Sequence, residues 1–482
     1  MDVVTPVSPA APSAGHQPAP DERRPPGSRF PWSRLASLLV LAAVAALVVV
    51  TFWPGHVDGD TPDAVMSAAN GPATDWHSPI LFEIWRPFYL LGLRSTGYPM
   101  AATVVTMLAG FYLLMRTRLS RPWSVGLAVA LIAFPPVLSW SIHVGRDAWF
   151  TALTVCAFGL ATRAWRTAGR SRRISVAMAL VAAFLAQAAR QDAFMVVFAV
   201  ALAVAPLLLP STMRWRRLAV AGIGVAATLG IVLVYGVVEA ATGVRHSYPE
   251  QSLYVQDLAT LSRAEGRVLF PPDIFPAQDL AYIRSHSTVS GSGELVWSPG
   301  AEVRFQVVKP LIDEERDAWI RAILDHPVTY LHSRAAMSAR LFAVDAPAWL
   351  IVQPDQAALV RPMHDAAMNY ILLFAIDRSP LQGGALYDPW IYLLIVAGGT
   401  AWLFSRRAPA DRVLGVFGAA MLVYAVGLTV TVPEVDYRYS YPVVVTGAIL
   451  VPLMAAALAG AVRTRYGRGR RAPGPDPYPA GP

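Results

Sequence analysis

Ten apolar runs of roughly 17–21 residues punctuate the chain, near 35–53, 98–115, 123–141, 148–164, 174–190, 193–209, 218–238, 386–404, 413–431 and 442–461. At ~1.5 Å per residue, a helix of that length crosses a hydrocarbon core of ~30 Å. The pattern predicts an all-α polytopic membrane protein with about ten transmembrane helices. The polar stretches divide the rest. Residues 1–33 and 463–482, rich in Pro, Ala, Gly and Arg, read as disordered cytoplasmic tails. Residues 34–238 hold spans one to seven and a first outer loop at 54–97. Residues 239–385 form an extracytoplasmic segment, and 386–462 hold spans eight to ten. The first run is followed by Trp-Pro-Gly-His and not by a small-residue cleavage pattern, so it reads as a retained anchor.

Two amphipathic stretches stand between the runs. "SPILFEIWRPFYLLGL" (78–93) is apolar and aromatic but is interrupted by Glu83, Arg86 and Pro87. It predicts an interfacial helix carrying Trp85, Phe88 and Tyr89. "DEERDAWIRAILDHPVTYLHSRAAMSARLF" (313–342) predicts a helix pair broken at Pro327 within a mainly helical outer segment. "VSGSGELVWSPG" (289–300) reads as a Gly/Ser-rich loop with room for a short hairpin.

Charge fixes the expected orientation. Of 40 basic residues only Lys309 is a lysine, and the arginines gather at both termini and at every second connection: 116–121, 163–173, 214–217 and 406–412. The positive-inside bias puts these on the cytoplasmic side, with both termini, in the cytoplasmic membrane. Short arginine clusters between apolar runs are topology signals, not a nucleic-acid footprint. Arginine in place of lysine also marks a GC-rich coding sequence. The single cysteine, Cys156, lies within an apolar run, which excludes a disulfide framework or a cysteine metal site within the chain.

The outer connections then hold the reactive side chains. Loop 54–97 carries Asp58, Asp60, Asp63 and Asp75 with His56 and His77, and its 53–79 stretch has no Lys or Arg. Thr61-Pro62-Asp63 has the form of a helix start. Asp58 and Asp60 are left over, and they suit a general base, a divalent-cation ligand, or both. His77 suits phosphate or a metal. The turn "HVGRDA" carries His143, Arg146 and Asp147, and "RQD" carries Arg190 and Asp192. Either Arg could grip a phosphate with two parallel hydrogen bonds; Arg146 could also pair locally with Asp147. "PEVDYRYSYP" gathers Glu434, Asp436, Tyr437, Arg438 and Tyr439 before the last span. Arg190 and Arg438, at outer ends of spans, run against the charge bias. The spans are nearly free of ionisable groups, which argues against an ion-coupled transporter. Nucleotides are confined to the cytoplasm, so a catalyst here needs a lipid-borne donor.

These motifs resemble the C superfamily of membrane glycosyltransferases (GT-C), in its bacterial, actinobacterial-type branch. The similar elements are Pro54-Gly55, Asp60-Thr61, His77-Ser78-Pro79 (with Ser78 standing between the usual His and Pro), Arg146-Asp147, Arg190, and Arg438-Tyr439-Ser440-Tyr441-Pro442. "WIRAILDHPVTYLHSR" (319–334) resembles the outer-segment helix of that branch, and the similarity spans most of 35–462. The resemblance implies inverting transfer of a sugar from a polyprenyl-phosphate donor to a hydroxyl of a cell-envelope acceptor at the outer face. Asp60, rather than Asp58, is implied as base. His77, Arg146, Arg190 and Arg438 are implied as donor-phosphate ligands, with Asp147, Asp192 and Tyr439 in support. A divalent cation at Asp58 and Asp60 remains open. The expected partners are the lipid-linked sugar, the envelope acceptor and membrane lipid, not nucleic acid. Two further readings stand beside this one: a non-catalytic membrane protein that binds or assembles an envelope polymer, and a transporter of lipid-linked sugar.

Overall fold

The computed structural model describes residues 32–57, 69, 74–76, 79–190, 193–346, 359–373, 384–406 and 408–469. Among them the chain is helical, with three isolated β-bridges and no strand. The bundle comprises α1 (Trp32–Phe52), α2 (Pro79–Leu90), α3 (Gly97–Met115), α4 (Arg121–Ala133), α5 (Pro135–Ser141), α6 (Arg146–Arg166), α7 (Gly169–Ala189), α8 (Phe194–Val204) and α9 (Arg216–Thr242). Segment 239–385 contributes α10 (Gln251–Glu265), α11 (Leu280–His286), α12 (Gly293–Trp297), α13 (Lys309–Asp325), α14 (Pro327–Leu341) and α15 (Arg361–Leu373). The bundle closes with α16 (Pro389–Ser405), α17 (Pro409–Thr431) and α18 (Tyr437–Gly469).

Every expected apolar run is helical, but the runs differ in character. Among the described residues, six helices are long and apolar enough to cross a membrane: α1, α3, α7, α9, α17 and α18. The run at 123–141 is not one straight helix. It bends by 72° between α4 and α5. Phe134, extended at φ −67° and ψ 121°, precedes Pro135. A residue before proline is pushed out of the helical region, and Pro135 has no N–H to give the preceding turn. If the bent pair is one span, the number rises to seven. Helix α8 has 11 residues, or about 16 Å of helix, and continues only as a 3-10 turn, so the run at 193–209 ends early.

Helix α6 lies at the centre, packed against α3, α7, α8, α17 and α18. It meets α3 at glycines on both sides. A Cβ at Gly110 would lie 2.8 Å from the Cys156 amide, and one at Gly159 would lie 3.1 Å from the Gly110 carbonyl. Backbones that approach this closely gain packing where lipid offers little competing hydrophobic drive. Helix α9 is the opposite case, with only 6% of its apolar window buried.

The helices of the polar stretches match the amphipathic reading with two corrections. The break at Pro327 falls between α13 and α14, with proline at the tolerated first position of the second helix. The expected interfacial helix is α2, but Trp85 turns inward, 6.3 Å from the Trp149 ring, while Phe88 and Leu90 are exposed. The expected hairpin at 289–300 reduces to one bridge between Thr288 and Gly291, followed by α12. A second apolar core, including Leu258, Leu261, Phe275, Ile283 and Leu295, holds segment 239–385 together. The buried Arg334 of α14 fastens it to the bundle, donating to Asp257 of α10 at 2.7 Å and to the Val432 carbonyl, past α17, at 2.7 Å. Helix α15 returns to the bundle and lies against α1 and α5.

Candidate active site

The first loop is tied to the start of α6 by backbone pairing. The His56 amide donates to the Ile142 carbonyl at 3.0 Å, and the Val144 amide donates to the His56 carbonyl at 2.7 Å. Gly55 makes the approach possible. It has φ +95°, and a Cβ there would lie 2.8 Å from Val144 Cγ2. The pairing holds the chain at Val57 beside the turn that carries Arg146 and Asp147. The next residues, including Asp58 and Asp60, lie outside the described residues, as do His77 and Asp192.

Asp75 is a fastener. Its carboxylate accepts from the Ser247 amide at 2.5 Å and the Ser247 hydroxyl at 2.6 Å, and His246 Nδ1 lies 3.0 Å away. Its own amide donates to the Arg245 carbonyl at 3.1 Å. These contacts bind the far end of the first loop to the chain leaving α9. Arg146 donates to the Trp76 carbonyl at 3.3 Å.

Arg190 and Arg438 converge. Asp147, buried in the first turn of α6, pairs with Arg190 at the C-terminus of α7, and not with its neighbour Arg146. The Arg190 guanidinium lies over three rings: Phe150 at 6.0 Å, Tyr424 at 5.6 Å and Tyr439 at 5.4 Å. Arg438 lies over the same Tyr439 at 5.0 Å and donates to its hydroxyl at 3.2 Å. It also pairs with Glu434 at 2.5 Å and Asp436 at 3.2 Å. Two cations from distant parts of the chain thus share one tyrosine, each stabilised by an aromatic face.

Asp436 is built in by helix capping. It precedes α18, and its carboxylate accepts from the Arg438 amide at 3.0 Å. Burial pushes this carboxyl up to about 7, against the pull of Arg438, and the charges of Glu434 and Asp147 add to the rise.

A buried histidine cluster lies beside the paired loop. His56 Nε2 is 3.3 Å from His364 Nε2 of α15, and the His56 and His143 ring centroids are 5.3 Å apart. His143 Nδ1 donates to the Ser139 carbonyl at 2.7 Å, and its ring lies 4.0 Å from that of Trp140. Burial, then His364, lowers the His56 imidazole to about 4. Among the described residues no group of three or more His, Cys, Asp or Glu could hold a metal ion. The expected cation site at Asp58 and Asp60 falls outside them.

The structure therefore joins Asp147, Arg190, Arg438 and Tyr439 in one cluster, with Arg146 next to Asp147 on the same turn. His364, Phe150 and Tyr424 are additions that sequence reasoning missed. Phe150 and Tyr424 sit in apolar runs with nothing to set them apart. A pair of buried cations flanked by tyrosines can take a phosphate by two-pronged contacts once their own carboxylates yield. No family model matches the chain, and no curated protein does.

Proposed function

We propose that the protein is a polyprenyl-phosphate-dependent glycosyltransferase of GT-C type, working at the outer face of the cytoplasmic membrane. In this reading the ten helical runs cross the membrane, the arginine-rich connections and both termini are cytoplasmic, and Arg146, Arg190 and Arg438 lie outside. One observation carries it. Arg190 and Arg438, at span ends 248 positions apart, flank the same Tyr439, while backbone pairing holds the first loop at the Arg146–Asp147 turn.

Asp60 takes the proton of the acceptor hydroxyl. The acceptor oxygen bonds to the anomeric carbon as the bond from that carbon to the phosphate oxygen breaks, and the electron pair leaves on the phosphate. Negative charge grows there in the transition state, so fixed guanidinium groups lower the barrier more than they tighten ground-state binding.

The test uses the purified protein in lipid nanodiscs with a panel of polyprenyl-phosphate sugars and envelope extracts as acceptor. Wild type is expected to transfer at least one sugar. Asp60→Asn is expected to lower transfer by about 100–10,000-fold without loss of folded protein. Full activity in that variant overturns the choice of base, and no transfer from any donor overturns the enzyme reading.

A further inference from the structure

Trp76, Trp297 and Phe305 form a ring cluster just beyond Arg146. Their centroids are 5.8 Å (Trp76–Trp297), 5.4 Å (Trp76–Phe305) and 5.2 Å (Trp297–Phe305) apart. Trp76 comes from the first loop, the other two from the outer segment. Trp297 is 66% exposed, although it is among the largest apolar side chains and heads no core of its own. The Trp76 carbonyl accepts from Arg146, so the cluster stands one hydrogen bond from the candidate site.

Trp76 and Phe305 are half-buried against Trp297, so the three rings form one contiguous aromatic patch and not a lone exposed side chain, and such patches mark binding surfaces. The chemical setting of the patch selects the ligand. Exposed polar residues stand beside the rings: Glu294, Glu302 and Arg304 lie within three positions of Trp297 or Phe305, and Arg245 and His246 are held to Thr74 and Asp75, next to Trp76. A surface meant for lipid tails would not be fringed by charges of both signs. An indole face with hydrogen-bonding neighbours suits a ligand with an apolar CH face and a rim of hydroxyls, which describes a sugar ring.

We propose that Trp297, with Trp76 and Phe305, is a carbohydrate-stacking platform, and that the acceptor it receives is a glycan rather than a lipid alcohol or a protein side chain. The role as acceptor rests on the glycosyl-transfer reading; the binding of a glycan does not. The Trp76 carbonyl ties this surface to Arg146, so a glycan held there lies beside the candidate donor site.

The experiment is calorimetric titration of the full chain in nanodiscs with linear oligosaccharides of pentofuranose and of hexopyranose units. Saturable binding of at least one is expected. Trp297→Ala should weaken it by about tenfold, and Trp297→Phe should restore most of it, because a ring is what the ligand needs. Trp297 is exposed, so both variants should unfold at the wild-type temperature. Absence of binding across the panel, or equal binding by Trp297→Ala, overturns the platform. The two proposals fail separately. Transfer with an unchanged acceptor KM in Trp297→Ala sinks the platform and spares the transferase reading. Binding that depends on Trp297, with no transfer from any donor, leaves the platform standing as a glycan-binding surface.

Discussion

Two buried arginine–aspartate pairs in this protein have the same chemistry and different surroundings. Arg334 and Asp257 are 6% and 5% exposed; Arg190 and Asp147 are 8% and 2% exposed. Around the first pair, hydrogen bonds run to fixed structure. Arg334 also donates to the Val432 carbonyl, and Asp257 also accepts from Trp319 at 2.8 Å. Arg334 meets one ring face, Tyr330 at 5.8 Å; around the second pair the cation meets three, one of which is shared with a second cation. Burial and pairing alone therefore do not separate a fastener from a candidate binding site. The neighbours do. A carbonyl fixes one orientation of a guanidinium, while several aromatic faces steady the charge without setting one.

The largest expected effect breaks the comparison at the aromatic pair. Arg190→Gln should lower sugar transfer by about 100–1,000-fold, as loss of one preorganised charge-stabilising group does elsewhere. Arg190→Gln combined with Asp147→Asn, which leaves no buried charge unpaired, should recover stability but not transfer. Rates normalised to folded protein, with thermal unfolding alongside, separate the two effects.

The fastener should behave the other way. Arg334→Ala strands Asp257 and should destabilise by about 3–5 kcal/mol, whereas Arg334→Met with Asp257→Leu should come close to wild type. Transfer per folded molecule should change little in either. A large loss of transfer in the stable double variant would erase the distinction drawn between the pairs.

A smaller effect sharpens the fastener side. Glu315, one helical turn before Trp319 on α13, is 1% exposed, and burial together with Glu250 pushes its carboxyl up to about 8. The folded state therefore holds a proton that the unfolded chain releases near 4.5. Its contribution to stability is intact below that value and is lost as pH rises toward about 8. Glu315→Gln removes this loss. Its unfolding temperature should match wild type at acidic pH and exceed it by about 2–4 °C above pH 8. A constant difference across pH would mean that Glu315 is not the titrating group.

How much of this was legible in the sequence varies with the range of the interaction. Pro327 announces its break because proline acts on the turn just before it. The bend at Phe134 was hidden because the run 123–141 stays apolar through Pro135 and Pro136, and hydropathy does not register a lost hydrogen bond. Arg190 stood out through its position against the charge bias, but its partner Asp147 lies 43 residues earlier, and no local pattern links them. Arg334 could have been found. Tyr330, Arg334, Met337 and Leu341 recur at helical spacing, so a charge falls on the buried stripe, and such a charge requires a partner. His364 left no such trace; only folding brings α15 to His56.

Helix α9 has a consequence for handling the protein. Its exposed flank of Leu218, Leu229, Leu233 and Val237 makes it the helix most dependent on its solvent. It leads directly into Arg245–Ser247, the stretch that grips Asp75 and so the far end of the first loop. A harsh detergent that loosens α9 is expected to free that grip while total helicity barely changes. Circular dichroism would then report an intact preparation that has lost this contact, so solubilisation conditions are better judged by protease accessibility at Arg245 than by helix content.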